Sequence, residues 1–353
     1  MTGYLKLANG ETFSGTWYGE QKNVVGDLIF YTGMNRFQEI ITDPTLKGKI
    51  VVFTQPQIRN NGIQKDRLES EQVQVSAVIV NDISQKSYQQ HSTISFLQLL
   101  KKHQVPLLTN IDTRALMKRI RTLGEMEVAI KTKKKTTYFP IEEKPLKQQM
   151  CLEKTQISTG EKHLVVIDFG TKKSLLQSLS HFGHQITTIP FYTKLSEMKA
   201  LKPDGIVFSG GPGNPYDYKE YFPIFKSVAR NYPTIAFGLG HQVLSASFGA
   251  QVKKRAIGHR GFQEPVINKE TQQVFLSNQN HEYEVNESSL KDSGFQVTYQ
   301  HVNDQGIEGL KHIHYPISTF QFHPNRENDG INQSIYESFF NDVKANKGEV
   351  IYA

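Results

Sequence analysis

Three short loops carry the residue types that could do chemistry, and each follows an apolar run. Residues 209–215 are rich in glycine, residues 238–242 join an apolar run to a helical pattern, and residues 320–324 contain His323. Glycines let backbone N–H groups approach a ligand and donate to a developing oxyanion. A turn from strand to helix presents one side chain at the edge of a sheet. One such loop is weak evidence, whereas three at strand ends predict a single site.

The elements that must position these loops alternate between strands and helices. Residues 175–182 repeat apolar side chains at helical spacing, and Gly183 then ends the helix. This alternation predicts a mainly parallel sheet, whose ligands bind at the carboxyl ends of the strands. The predicted strands are 164–167, 185–189, 205–208, 234–237 and 317–319, and the clearest later helix is 218–230.

The first 131 residues follow a different pattern of strands and turns with two helices near the end. One helix is predicted around residues 96–100, and a second begins after Asp112, a good N-cap, and ends near Gly124. Residues 132–161 are rich in Lys, Thr, Gln and Pro and are interpreted as a linker. We therefore predict an N-terminal domain over 1–131 and a C-terminal domain over 162–353.

Composition narrows the classes of function. The 353 residues are 37% hydrophobic and 21% charged, as in ordinary globular proteins. No apolar run reaches the roughly 18 residues of a membrane-spanning helix, and the first residues lack the pattern of a secretory signal. One cysteine, Cys151, excludes an intramolecular disulfide and agrees with a cytoplasmic location.

A net charge of +7 raises the question of nucleic-acid binding. The densest basic run consists of Lys131, Lys133, Lys134 and Lys135, and no aromatic side chains are interleaved with it for base stacking. We interpret the run as solvated and expect no nucleic-acid partner.

The loops resemble those of the class I glutamine amidotransferases. In that family the turn reads Gly-x-Cys-x-Gly-His-Gln and the late motif reads His-Pro-Glu. Residues 166–172, 209–215 and 258–261 are similar to the small subunit of carbamoyl-phosphate synthetase, and so are the N-terminal segments 32–34, 37–40, 42–44 and 110–114. The resemblance implies an α/β fold in which an N-terminal α/β domain specific to that subunit precedes a class I glutamine amidotransferase domain with a mainly parallel sheet.

The chain departs from this family at its catalytic residues. The resemblance implies that a cysteine attacks glutamine, His323 acts as acid and base, and a glutamate orients it. Here Gly238 stands at the cysteine position and Asn325 at the glutamate position. We predict that glutamine hydrolysis is lost and that the chain is a pseudoenzyme. Ser209 or Ser245 would be needed as an unusual nucleophile if activity remained.

The resemblance also implies substrate contacts, several of them altered. Glu282 stands where the family has a glycine. In the N-terminal domain, Arg36 and Arg59 each stand where the family has a glycine. So many changes around one pocket favour natural drift over a single engineered substitution. The implied contact positions are Gly33, Gly211, Gly213, Leu239, Gln242, Asn280, Glu282 and Tyr283.

Two hypotheses follow. The first is a non-hydrolysing subunit whose large partner makes carbamoyl phosphate, for arginine or pyrimidine synthesis, and binds the ATP and magnesium. No cofactor is expected in this chain, which has no phosphate-binding loop motif. The alternative is a sensor that binds glutamine without cleaving it. His312 and His314 alternate as residues of a surface strand would, and no metal site is predicted there.

Overall fold

The computed structural model describes residues 1–55, 57–58, 62–83, 94–133, 153–323 and 331–345. The chain forms two units, which are Met1–Leu146 with Ala256–Arg260 and Lys147–Arg255 with Gly261–Ala353. Among the described helices, none is both long and apolar enough to cross a membrane.

The first unit is built around a closed barrel. The strands follow the order β1-β2-β8-β6-β4-β3-β9, with parallel pairs from β3 to β8 through β4 and β6 and antiparallel pairs elsewhere. The strands are β1 Thr2–Leu7, β2 Thr12–Tyr18, β3 Val24–Tyr31, β4 Ile50–Phe53, β5 Gln57–Ile58, β6 Ala77–Ile79, β7 Asp82–Ile83, β8 Leu107–Thr109 and β9 Met126–Lys131; the helices are α1 Phe37–Thr42, α2 Phe96–Lys102 and α3 Thr113–Leu123.

Both helices predicted near the end of this unit are confirmed. Ser95 caps α2 in a capping box with Gln98, and Asp112 caps α3 by accepting the N–H of Ala115 at 2.9 Å. Gly124 ends α3 with φ +85°. Lys131, the first residue of the run interpreted as solvated, instead ends β9 and is buried. That interpretation was wrong for Lys131, since its strand belongs to the barrel.

A buried ion pair holds the segment Ala256–Arg260 in the first unit. Arg260 Nε and Nη2 donate to the two carboxylate oxygens of Glu125 at 2.9 and 2.8 Å, and both side chains are at least nine-tenths buried. The N–H of Gly258 also donates to this carboxylate, at 3.2 Å. Burial alone would raise the pKa of the Glu125 carboxyl, but the Arg260 guanidinium outweighs it and holds the pKa below its usual value.

The second unit contains a ten-stranded sheet in the order β10-β12-β11-β13-β14-β19-β18-β17-β15-β16. Five adjacent strands from β12 to β19 are parallel, and antiparallel strands extend the sheet on both sides. The strands are β10 Thr155–Ser158, β11 His163–Asp168, β12 Gln185–Pro190, β13 Gly205–Phe208, β14 Thr234–Phe237, β15 Val252–Asn268, β16 Val274–Val285, β17 Phe295–His301, β18 Ile307–His312 and β19 Ile317–Phe320; the helices are α4 Lys173–His181, α5 Leu195–Ala200, α6 Phe222–Asn231, α7 Leu239–Ser247 and α8 Ile331–Ala345.

The parallel strands are short, apolar and buried on both faces. Every residue of β13 and of β14 is buried, as expected where helices cover both sides of a sheet. One apolar cluster, including Phe169, lies on one face, and another, including Phe237, lies on the other. The α/β fold with a largely parallel sheet is therefore confirmed, with antiparallel parts that the sequence pattern did not specify.

Two local predictions were wrong. The helix predicted over 218–230 begins only at Phe222, after a 3-10 turn over Pro215–Tyr221. Pro223 has no N–H to donate to the carbonyl four residues earlier, so the α-helix cannot extend back through it. The segment interpreted as linker contains β10, which pairs with β12 from Thr155 to Ser158.

Candidate functional site

The turn between β14 and α7 holds its first residue in a left-handed conformation. Gly238 has φ +52° and ψ −114°. Its N–H donates to the carbonyl of Phe320 in β19 at 2.9 Å, and its own carbonyl accepts the N–H of Gln242 at 3.2 Å. Holding a residue other than glycine in such a conformation costs roughly 1–3 kcal/mol. The turn has the strained geometry of a strand-to-helix elbow, and glycine relieves the strain.

His323 lies beside this elbow. A Cβ atom built on Gly238 would be 3.0 Å from His323 Nε2 and 3.5 Å from Gly210 Cα. The N–H of His323 donates to the carbonyl of Asn278 at 3.0 Å, and the side chain is buried. A side chain at position 238 would therefore contact the imidazole, which is the arrangement of a nucleophile and its base. Glycine supplies no atom there, and Asn325 lies outside the described residues.

The glycine-rich loop after β13 packs closely against the turn that follows β11. A Cβ atom on Gly211 would lie 2.3 Å from the carbonyl oxygen of Phe169, and Gly213 has φ +97°. Ser209 Oγ accepts the N–H of Phe169 at 2.9 Å and donates to the carbonyl of Gly210 at 2.8 Å. The fold itself thus requires both glycines. The Ser209 hydroxyl is fully buried and engaged, which opposes its use as a nucleophile.

His241, in the first turn of α7, is fully buried and neutral. Its Nδ1 lies 2.8 Å from Thr319 Oγ1. Burial lowers the pKa of His241 to about 3, although the Glu308 carboxylate acts in the opposite direction. The carbonyl of His241 accepts the hydroxyl of Ser245 at 2.7 Å, so the second serine considered as a nucleophile is also buried and engaged.

Gln242 is committed to contacts within the fold. Its Nε2 donates to the carbonyl of Tyr283 at 3.0 Å and to Gln321 Oε1 at 3.1 Å. An amide has two N–H donors, so these contacts use both. The family resemblance implies a substrate contact at Gln242, but here its side chain links α7 to β16 and to Gln321, the residue after β19.

A buried polar network next to Gln242 was not anticipated from the sequence. Gln279 Nε2 donates to Ser277 Oγ at 3.0 Å and to Glu308 Oε2 at 2.6 Å. His281 Nδ1 donates to the carbonyl of Tyr283 at 2.8 Å, and its Nε2 lies 3.7 Å from Glu308 Oε1. Alternation along β16 places Ser277, Gln279 and His281 on one buried face, and this period of two is the signal that could have found them.

The remaining predicted contacts of the second unit fall on different surfaces. Leu239 is buried in the core. Asn280 and Glu282 lie on the partly exposed face of β16, opposite Gln279 and His281. The side chain of Tyr283 packs against the core cluster that contains Leu239.

Position 33 belongs to the first unit and has a structural reason to be glycine. A Cβ atom on Gly33 would lie 2.2 Å from the hydroxyl oxygen of Tyr31, and its carbonyl accepts Nε2 of Gln55 at 3.0 Å. Nearby, Arg36 adopts φ +65° and ψ 30° at the N-terminus of α1. Arginine thus occupies a left-handed conformation that favours glycine. Arg59 lies outside the described residues.

The two histidines considered as a surface pair do not share a strand face. His312 ends β18 and is buried against Phe295, whereas His314 lies beyond the strand and is exposed. Burial lowers the pKa of His312 to about 4, with His314 and the nearby Arg230 acting in the same direction. Within either unit, the described residues contain no three His, Cys, Asp or Glu side chains close enough to share a metal ion.

Two family models match the chain. Residues 165–343 match the class-I glutamine amidotransferases, the class of protein that the parallel sheet, the elbow and the adjacent histidine define. Residues 5–130 match the CPSase domain of the carbamoyl-phosphate synthase small chain. The chain therefore belongs to the carbamoyl phosphate synthase small-chain family.

Full-length relatives carry that name. The arginine-specific small chain of carbamoyl phosphate synthase from Halalkalibacterium halodurans is 40% identical, with 100% of both chains covered. The arginine-specific small chain from Bacillus subtilis is 37% identical, again over 100% of both. The pyrimidine-specific small chain from Lactiplantibacillus plantarum is 34% identical, over 92% of this chain and 91% of the relative.

Proposed function

We propose that this chain is a small subunit of carbamoyl phosphate synthase that does not hydrolyse glutamine. The observation that carries the proposal is the glycine at position 238. A Cβ atom at this position would lie 3.0 Å from His323 Nε2, but glycine has no side chain. Covalent catalysis needs a nucleophile that forms an acyl intermediate. Glycine has none, and removing the nucleophile alone costs about 10⁶ in kcat in a comparable catalytic triad.

The family supports a large-subunit partner. In the proposed complex the large subunit would bind ATP and magnesium and make carbamoyl phosphate from bicarbonate and free ammonia. The two arginine-specific relatives align over 100% of this chain, which supports a place in arginine synthesis. We also propose a cytoplasmic location. In the complex, this chain would have a structural or regulatory role.

A glutamine sensor receives less support than a structural or regulatory subunit. Both N–H donors of Gln242 are used by Tyr283 and Gln321, and Gly211 and Gly213 have packing and conformational reasons to remain glycine. These residues would therefore persist without any ligand. Calorimetry with glutamine tests the sensor hypothesis directly. The absence of heat at millimolar glutamine would remove it.

Reconstitution with a large subunit tests the proposed function. We expect the two chains to co-purify and the complex to make carbamoyl phosphate with ammonium but not with glutamine. A small chain with an elbow cysteine, assembled with the same large subunit, is the positive control for glutamine. Failure to form the complex would contradict the subunit role, and glutamine-dependent synthesis at the control's rate would contradict the loss of hydrolysis.

A further inference from the structure

The second unit contains a cavity that the elbow chemistry does not use. It lies at the carboxyl end of β12 and has a volume of about 560 Å³. In the sheet order β12 is three positions from β14, so the usual strand spacing separates the cavity from the elbow by roughly 14 Å. Small-molecule sites typically have volumes of about 300–1,000 Å³ and often lie at this edge of a parallel sheet.

One wall is a loop tied down by its own hydrogen bonds. The N–H and the hydroxyl of Thr193 both donate to the carbonyl of Pro190, at 3.0 and 2.7 Å. The N–H of Glu197 donates to the carbonyl of Lys194 at 3.0 Å, which starts α5. These contacts fix the path from β12 into α5.

The other walls are attached to the sheet. Thr155, next to Lys154, accepts the hydroxyl of Thr188 at 3.2 Å and pairs with it between β10 and β12. The carbonyl of Leu201 lies 2.9 Å from Nδ1 of His163 in β11. The cavity is thus formed by three chain segments that are each anchored to the sheet, so its walls are preformed.

The lining combines an apolar floor with a charged rim. Ile189, which is buried, and the neighbouring Leu201 supply apolar surface. The charged lining residues are Lys154, Lys194 and Glu197, and all three are exposed. They supply two ammonium groups and one carboxylate. The rim therefore carries an excess of positive charge.

An aromatic side chain completes the rim. Tyr192 lines the cavity and leaves 50% of its surface exposed. Exposed tyrosine rings often provide contact area for apolar or aromatic ligands, with little loss of conformational entropy. Together the floor, the ring and the two lysines complement a molecule with an apolar body and an acidic group.

We propose that this cavity binds a small amphipathic anion, an aromatic or apolar body that carries one acidic group. The apolar body would contact Ile189, Leu201 and Tyr192, and the acidic group would pair with Lys154 and Lys194. This site is independent of Gly238 and does not depend on the proposed function.

Titration of the full chain with 8-anilinonaphthalene-1-sulfonate tests the site, with fluorescence as the readout. We expect saturable binding of one molecule per chain. Each rim lysine should contribute about threefold, as exposed ion pairs do, so Lys154→Ala/Lys194→Ala should weaken binding by roughly tenfold. Glu197→Gln removes the opposing charge and should tighten binding by about threefold.

Matched controls separate this site from general dye binding. Lys199→Ala/Lys219→Ala removes two exposed lysines that do not line the cavity and should leave the affinity unchanged. The neutral N-phenyl-1-naphthylamine should bind the unaltered chain at least tenfold more weakly than the sulfonate. Equal sulfonate affinities for the unaltered chain and the Lys154→Ala/Lys194→Ala variant would overturn the proposal, and so would the absence of saturable binding. Thermal unfolding of each variant verifies that it remains folded.

Discussion

Two turns in different units hold a residue at positive φ, and the chain has changed them in opposite directions. Gly238 has φ +52° and Arg36 has φ +65°. The family resemblance implies a cysteine at the first position and a glycine at the second. One change removes a nucleophile and relieves strain, whereas the other introduces a side chain into a strained conformation. A positive φ therefore does not by itself decide which residue occupies a turn, since glycine occupies one and arginine the other.

The comparison separates what the fold preserves from what chemistry requires. The elbow has a hydrogen bond to β19 and lies beside His323, without a side chain that could react. The fold alone accounts for Gly211 and Gly213, as their packing and φ values show. A family model can therefore match this domain although position 238 has no nucleophilic side chain, because a fold does not by itself imply a function.

The largest expected effect is on glutamine hydrolysis when a cysteine is placed at position 238. Gly238→Cys supplies a thiol next to His323 but leaves Asn325 where a carboxylate would orient the imidazole. Replacing that carboxylate by an amide costs about 10⁴ in kcat in a comparable triad. We therefore expect ammonia release from glutamine by the Gly238→Cys complex to stay about 10⁴-fold below that of an intact small chain.

The double variant Gly238→Cys/Asn325→Glu is the control for this result. It should release more ammonia than either single variant, because nucleophile and base act as a unit. Full glutaminase activity from Gly238→Cys alone would show that only the nucleophile is missing, and it would contradict our inference that several positions of the pocket have lost their function.

The second largest effect concerns the ion pair that holds Ala256–Arg260 in the first unit. Arg260→Ala leaves the buried Glu125 carboxylate without its guanidinium, and such a change typically costs about 3–5 kcal/mol of unfolding free energy. Arg119→Ala is the matched control, since Arg119 pairs with Glu11 where both side chains are well exposed. That variant should lose no more than about 1 kcal/mol in urea denaturation. Equal losses would show that the burial of the pair has no energetic consequence.

The same pair predicts a direction of pH dependence. Because the pKa of Glu125 is lowered in the folded state, its contribution is present above the unfolded pKa of about 4.3 and is lost as the pH falls through the folded value. Glu125→Gln removes this titration. The stability difference between the unaltered chain and Glu125→Gln should therefore shrink in acid, and a difference that grows as the pH falls would contradict the assignment.

The sequence predicted the elements around the site better than the interactions within it. Short apolar strands and the capping residues of α3 are local signals, so residues such as Asp112 and Gly124 were assigned correctly. The closed barrel and the antiparallel half of the large sheet depend on pairing between distant segments, which no local pattern specifies. The late start of α6 follows from Pro223, which is itself a local signal.

The buried network illustrates what a family resemblance leaves out. The family motifs imply Gln242 and Asn280 as ligand contacts, whereas Gln242 donates to Tyr283 and Gln321. Its neighbours Gln279 and Glu308 belong to no quoted motif, and their contact joins strands about thirty residues apart in sequence. Such polar contacts are found only when the strands are placed in three dimensions.

A moderate loss of stability is expected when a side chain is added at the elbow. Gly238→Ala places a Cβ atom at φ +52° and 3.0 Å from His323 Nε2, which should cost about 1–3 kcal/mol. Gly183→Ala is the control, because Gly183 has φ +73° but no atom within 4 Å of the added Cβ. Its cost of roughly 1–2 kcal/mol should report the conformation alone. A neutral Gly238→Ala would show that the elbow relaxes when it is substituted.

The smallest expected effect is on stability at Arg36, the position compared above with the elbow. Arg36→Gly should release the roughly 1–2 kcal/mol of a left-handed residue, offset by the roughly 0.5–1 kcal/mol that extra freedom of glycine in the unfolded chain costs. We expect a net gain of about 0.5–1 kcal/mol in urea denaturation. Arg36→Ala removes the same charge near Glu39 but keeps the strain, so it separates electrostatics from backbone conformation. If Arg36→Ala were the more stable of the two variants, the strain at position 36 would be illusory, and the two turns would not be the opposite cases that their φ values indicate.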